Sequence, residues 1–283
     1  SLALASSVWG RPEDGGGPDV IHAHDWHAAL AVVYAKMTMG EAWARRKSIY
    51  TIHNLAYQGV FGPELLEPLG VPPEAFHLEL LAHQGNVNLM KGAIGLADRV
   101  TTVSPTYAQE ITTPEGGFGL DGYLRRHSNK LVGILNGIDM ERFDPATDES
   151  IAARYDARTF ERGKLACKEA LGRELGLDVE SLREAPLFSA VSRLSWQKGI
   201  DLLLAIAPEL VSHGARLVLV GQGDAPIEQS MRDVAAMHPG RIAARVAFDP
   251  GLARRIYAAS DFFLVPSRFE PCGLTQMYAM RYG

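Results

Sequence analysis

From Leu187 to its end the chain alternates short runs of apolar and β-branched residues with stretches of helical period, and this alternation constrains the fold more than any other feature. A strand followed by a helix, repeated, is the pattern of a parallel sheet covered on both faces. The spacing predicts strands at Leu187 to Val191, Arg216 to Val220, Arg241 to Phe248 and Phe262 to Val265. Helices are predicted at Gly199 to Ser212, Asp224 to Met237, Pro250 to Ala259 and from Gly273 onward. The first half carries the same rhythm, with strands at Asp19 to His22, Ser48 to Ile52, Arg99 to Val103 and Lys130 to Leu135. Its helices are predicted at Trp26 to Thr38, Val87 to Ala97 and Pro105 to Ile111. The charged stretch from Asp144 to Glu184 reads as a connector with one or two exposed helices. The fold class is therefore α/β with doubly wound parallel sheets, in two domains divided as 1–132 and 133–283.

In open α/β sheets ligands bind beyond the carboxyl ends of the strands, which directs attention to the residues that follow each run. Two segments stand out there: Val191-Ser-Arg-Leu-Ser-Trp-Gln-Lys-Gly199 and Pro266-Ser-Arg-Phe-Glu-Pro-Cys-Gly-Leu-Thr-Gln276. Arg193 and Lys198 flank a strand-to-helix turn from which both could reach one anion. Gly273 opens a helix whose first free N–H groups favour negative charge. Together they form a site suited to a diphosphate, and Glu270 beside them suits sugar hydroxyls. The bland alternative is a pair of solvated cations and a surface acid. Gly221-Gln-Gly223 resembles the start of a dinucleotide fingerprint, but Pro226 stands where its third glycine would be. A tight strand-to-helix turn is the simpler account.

In the first half His22-Ala-His24-Asp25-Trp26-His27 follows one strand and His53 follows another. An H-x-H at a strand end can ligate zinc, so a metal-dependent hydrolase using His22 and His24 is an alternative function, although further ligands at suitable spacing are not apparent. The competing reading is a sugar-binding loop, with Asp25 and His27 bonding hydroxyls and Trp26 supplying an apolar face.

Composition excludes other classes. The net charge of −5 is spread over interspersed acids and bases, which gives no basic stripe for nucleic acid, and no apolar run is long enough to span a membrane. Cys167 and Cys272 are far apart and outside any CxxC, which fits a reducing, cytoplasmic setting without a metal or other cofactor. Ser1 to Gly10 is small and apolar but lacks a basic start, so a signal peptide is not expected.

The motifs HAHDWHAA, TIHNLAYQGVF, TTVSPTYAQEI, ILNGID, SRLSWQKGIDLL and VPSRFEPCGLTQ, in this order, resemble those of bacterial glycogen synthases and plant starch synthases. The likeness spans nearly the whole chain. It implies the GT-B fold, two Rossmann-like domains facing across a cleft. It also implies transfer of glucose from ADP-glucose to the non-reducing 4-hydroxyl of an α-1,4-glucan such as glycogen, with retention. By the same resemblance Arg193 and Lys198 match the diphosphate cations, and Glu270 the acid beside the transferred glucose. The backbone of Cys272, Gly273, Leu274 and Thr275 matches the cradle of the distal phosphate. His53 corresponds to a histidine near the reacting sugar, Asp25 to an aspartate on the acceptor side, and Asn136 to an asparagine near the glucose. Phe248 falls where an aromatic stacks on adenine, here without a hydroxyl.

Three departures bear on this reading. The family's KxGGL-type donor loop does not occur, and the chain is expected to be a fragment lacking both ends of such an enzyme, hence poorly stable or inactive alone. Tyr278 replaces the second glutamate of many related transferases, as the glycogen synthase pattern expects. A degenerate synthase acting only as a glucan-binding module is the remaining alternative.

Overall fold

The computed structural model describes residues 17–283, so the reading of Ser1 to Gly10 lies outside the described residues. The chain divides into two compact units, the first ending at Asn136 and the second running from Gly137 to Gly283. The division falls a few residues beyond the expected boundary, because the last strand of the first unit and the turn after it bond to that unit.

The first unit runs β1 (Val20–His24), α1 (Asp25–Met37), β2 (Lys47–Ile52), β3 (Val60–Phe61), β4 (Ala82–His83), β5 (Asn86–Asn88), α2 (Leu89–Leu96), β6 (Arg99–Thr102), α3 (Pro105–Glu110), α4 (Asp121–Arg126) and β7 (Leu131–Gly133). Strands β1, β2, β6 and β7 form one parallel sheet in that order. Ser48, Tyr50, Thr51 and Ile52 of β2 are all buried, as a central parallel strand requires. Asp98 ties the lower end together: its Oδ2 accepts from Lys36 Nζ on α1 at 2.9 Å and from the backbone N–H and hydroxyl of Ser48 on β2 at 2.8 and 2.9 Å.

A small antiparallel sheet, ordered β3-β5-β4, was not expected. It corrects the helix predicted from Val87, which lies in β5. The helix starts only at Leu89, where Asn88 Oδ1 accepts the Lys91 N–H at 2.9 Å and caps the first turn.

The second unit runs α5 (Phe160–Leu175), β8 (Leu187–Val191), α6 (Ile200–Ser212), β9 (Arg216–Gly221), α7 (Ala225–Met237), β10 (Ile242–Val246), α8 (Pro250–Ala259), β11 (Phe262–Phe263) and α9 (Leu274–Arg281). Its parallel sheet is ordered β10-β9-β8-β11. Along β9 the side chains alternate between two cores. Leu217 and Leu219 join the cluster made with Leu203 and Ala207 of α6 and Met231 of α7, whereas Val218 and Val220 join Leu171 of α5 and Ile256 of α8. Both faces of the sheet are thus covered, which makes this unit doubly wound. Because α5 buries Cys167 and Leu171 in that second core, it is part of the fold and not the exposed connector helix expected.

Candidate functional site

The chemistry of the second unit gathers where β8 and β11 end. After β8 the chain turns through a short 3-10 segment, Trp196–Lys198, and enters α6 at Gly199. After β11 it passes through Pro266 to Gly273 before α9. These two loops lie against each other. The Arg268 N–H donates to the Gln197 carbonyl at 2.9 Å, and Gln197 Nε2 donates to the Phe269 carbonyl at 3.3 Å. Gly199 sits at φ +63°, and a Cβ there would lie 2.1 Å from the Pro266 carbonyl oxygen, so the approach requires glycine.

The loops bring Arg193, Lys198, Glu270 and Thr275 to the wall of one cavity of about 200 Å³, with Ser267 beside them. Lys198 Nζ and Glu270 Oε2 are 2.6 Å apart, in an ion pair whose side chains are only 18% and 22% exposed. The Ser267 hydroxyl donates to the same carboxylate oxygen at 2.9 Å. The carboxylate read as a sugar contact thus holds the ammonium read as a phosphate contact. Arg193 stands exposed at the rim. At the other side Gly273 adopts φ +79° as the N-cap of α9, and no side chain caps the helix start. The first N–H groups of Leu274 and Thr275 are thus presented without a protein side-chain cap. Cys272 is a half-buried free thiol.

A second, mostly apolar cavity of about 290 Å³ shares Arg193 and Thr275 with the first and is lined also by Phe143, Phe248, Tyr257 and Tyr278. Tyr278 stacks on Phe143 with centroids 4.0 Å apart, so the position that carries an acid in other transferases is aromatic wall here. Phe248 is 81% exposed at the cavity mouth. It lies beyond β10, which ends at Val246 and not at Phe248 as predicted, because Asp249 caps α8 by accepting the Leu252 N–H at 2.8 Å. Gly221 and Gly223 answer the fingerprint question. Cβ atoms there would lie 2.0 Å and 2.2 Å from the carbonyl oxygens of Ser192 and Leu194, so these glycines admit the neighbouring loop and need no dinucleotide.

In the first unit the strand-end residues form a separate group. Asp25 takes φ +53°, uncommon for a residue with a Cβ, as β1 passes directly into α1. Its Oδ1 accepts the backbone N–H of His53 at 2.8 Å. The rings of His24 and His53 meet, Nδ1 to Nε2, at 3.0 Å, and His22 Nε2 lies 2.7 Å from Thr51 Oγ1. Burial first, then the neighbouring His22 and His53, lower the pKa of His24 and favour its neutral form. Asn136 is the last residue of this unit, its N–H directed to the Val103 carbonyl at 3.4 Å. The domain division expected from sequence had put it in the second unit. Among the described residues no group of three or more His, Cys, Asp or Glu side chains is arranged to hold a metal ion, so the hydrolase alternative has no ligand set there. Among them, too, no helix is long and apolar enough to cross a membrane.

Sequence reasoning passed over Ser267, Asp201 and Arg268. All three lie inside quoted motifs, but only the folded loops reveal what they touch.

Comparison with known proteins agrees with this architecture. Residues 1–126 match the family model described as starch synthase catalytic domain, and residues 185–283 match glycosyl transferases group 1. The structure is similar to the catalytic domain of starch synthase IV from Arabidopsis thaliana bound to ADP and acarbose, with a TM-score of 0.87 and 38% identity over 95% of this chain and 56% of that one. Two parallel-sheet, Rossmann-like units with these matches define the GT-B fold class, the fold of the matched starch synthase.

Among curated proteins the chain is 51% identical to a glycogen synthase of Rhodopseudomonas palustris (strain BisA53), over 94% of this chain and 53% of the relative. It is 47% identical to one of Anaeromyxobacter sp. (strain Fw109-5), over 100% of this chain and 58% of the relative. The chain is thus similar to glycogen synthases and starch synthases over nearly its whole length. It spans about half the length of the curated relatives it matches.

Proposed function

We propose that the protein acts as a glycogen synthase, moving the glucosyl group of ADP-glucose onto the non-reducing 4-hydroxyl of an α-1,4-glucan with retention of configuration. The observation that carries this reading is the convergence of Arg193, Lys198, Glu270 and the start of α9 on one cavity. Its geometry suits a diphosphate, and the adjoining aromatic hollow with Phe248 at its mouth suits a purine base. The similarity to a starch synthase solved with ADP supports the same assignment.

In this reading Arg193, Lys198 and the backbone N–H groups from Cys272 to Thr275 hold the diphosphate, while Glu270 accepts hydroxyls of the glucose. Breaking the bond from glucose C1 to the phosphate oxygen leaves positive charge on the sugar and negative charge on ADP. The two cations and the helix start stabilise that negative charge without reorganising. The acceptor O4 attacks C1 from the face that the phosphate leaves, and its proton passes to the departing phosphate oxygen. His53, with its backbone held by Asp25, and Asn136 serve the glucose and acceptor side. Cys167 and Cys272 are both free thiols, which fits a reducing, cytoplasmic setting.

The test, made on the full-length protein to which this sequence belongs, is incorporation of labelled glucose into glycogen from ADP-glucose and from UDP-glucose, in parallel with calorimetric binding of ADP. Incorporation from ADP-glucose with ADP binding is expected. Absence of both binding and incorporation would refute the proposal.

A further inference from the structure

The donor cavity is assembled from two loops distant in sequence, and its central ion pair has one partner on each. Something must fix their register, because a charged pair misaligned by an ångström loses most of its catalytic value. Arg268 has the geometry to do this. Its Nη1 and Nη2 donate to the two carboxylate oxygens of Asp201, at 2.8 and 2.7 Å, and Nη1 donates also to the Trp196 carbonyl at 2.7 Å. The face of the guanidinium lies over the Trp196 indole, 4.8 Å from the ring centroid. Its backbone N–H meets Gln197. One residue thus grips the other loop on both sides of Lys198, and Glu270 follows it two positions later.

The chemistry of the grip requires arginine. A planar fork satisfies a carboxylate in two-point fashion, reaches a third acceptor and stacks on an aromatic face, whereas an ammonium offers a point charge. Asp201 belongs to the first turn of α6, where a negative charge is favoured before any partner arrives. Arg268 itself lines neither cavity. It contacts the elements that hold Lys198 and Glu270.

We propose that Arg268, through Asp201 and Trp196, is a positioning residue for glucosyl transfer that sets Lys198 against Glu270. The proposal rests on the donor-site reading given above. Arg268→Ala, Arg268→Lys and Asp201→Asn are to be compared with the parent protein for melting temperature, ADP binding, and the kcat and KM of transfer from ADP-glucose. The expected result is a folded Arg268→Ala protein whose kcat falls about 10- to 100-fold, with a smaller change in KM and partial rescue by added guanidinium. Arg268→Lys recovers little. Combined with Glu270→Gln, Arg268→Ala adds no further loss, because both act on the same pair.

Transfer by Arg268→Ala within twofold of the parent, or a loss that multiplies independently with that of Glu270→Gln, would overturn the assignment. Should Arg268→Ala not fold, Arg268→Lys and Asp201→Asn decide by the same comparison. A parent protein that neither binds ADP nor transfers glucose removes the donor-site reading and this inference together. An active parent with unaffected variants removes this inference alone.

Discussion

Replacing Glu270 by glutamine should tighten ADP binding while impairing transfer, an outcome that a simple list of site contacts would not anticipate. Lys198 is engaged with the Glu270 carboxylate at 2.6 Å, and both side chains are largely buried, so a diphosphate bound as proposed would have to draw the ammonium away before using it. A hydrogen bond involving a charged group contributes about 1.5–3 kcal/mol; the carboxylate pair, charged on both sides, lies at the upper end of that range, and an ammonium bonded to a neutral amide lies at the lower end. Glutamine keeps an acceptor oxygen of the same reach but not the charge. The competition is thereby weakened by about 1–1.5 kcal/mol, which corresponds to about 5- to 10-fold tighter ADP.

Transfer should fall by about 100-fold, since an amide is a poorer acceptor for sugar hydroxyls and does nothing for positive charge at C1. Calorimetry with ADP and steady-state incorporation into glycogen measure the two effects separately. Weaker ADP binding in Glu270→Gln would mean that the carboxylate helps hold the nucleotide and does not compete for Lys198. Undiminished transfer would mean that Glu270 takes no part in the reaction. Either result refutes the reasoning.

Three other outcomes follow from single contacts. Phe248→Ala removes a ring that is 81% exposed, so stability should stay within about 0.5 kcal/mol, while ADP affinity should drop about fivefold by fluorescence or calorimetric titration if the ring stacks on the base. Gly199→Ala places a Cβ against the Pro266 carbonyl at a positive φ, and should cost about 3 kcal/mol in urea unfolding together with most ADP binding. Burial, the largest single influence on Asp98, raises its pKa, but the hydrogen bonds from Lys36 and from the side chain and backbone of Ser48 outweigh it and hold the carboxyl at about 2 against an ordinary 3.8. A lowered folded-state pKa gives stability that is present above pH 4 and lost as pH falls toward 2. With the carboxylate about a third exposed, solvent screening reduces the contribution to roughly 1 kcal/mol, so Asp98→Asn should lower the urea midpoint at pH 7 and flatten its decline between pH 4 and 2.

The sheet of the second unit was legible because β9, Arg216 to Gly221, is buried along its whole length and therefore reads as an unbroken apolar run. Where such a run stops, the next polar residues mark the sheet edge, which is why Arg193 stands out in the sequence. The antiparallel sheet of the first unit left no such trace. Val60–Phe61 and Ala82–His83 are two-residue strands, too short to show a period, and Val87 was absorbed into the apolar pattern of the helix after it. What stops that helix from starting earlier is the Asn88 cap, a single hydrogen bond.

Arg268 exposes a different limit. Within its own motif it reads as one more cation near a phosphate site, and the pattern of charges supports that reading as well as any. Its partners are Trp196 and Asp201, brought alongside only when β8 and β11 pair in the sheet. A side chain that touches ligand is betrayed by its chemical type at a strand end, whereas one that holds two loops in register is defined by its contacts. The same sheet pairing places Lys198 against Glu270, so the proposed donor-site pair and the contacts of Arg268 arise from one packing event, and disturbing β11 against β8 should disrupt both at once.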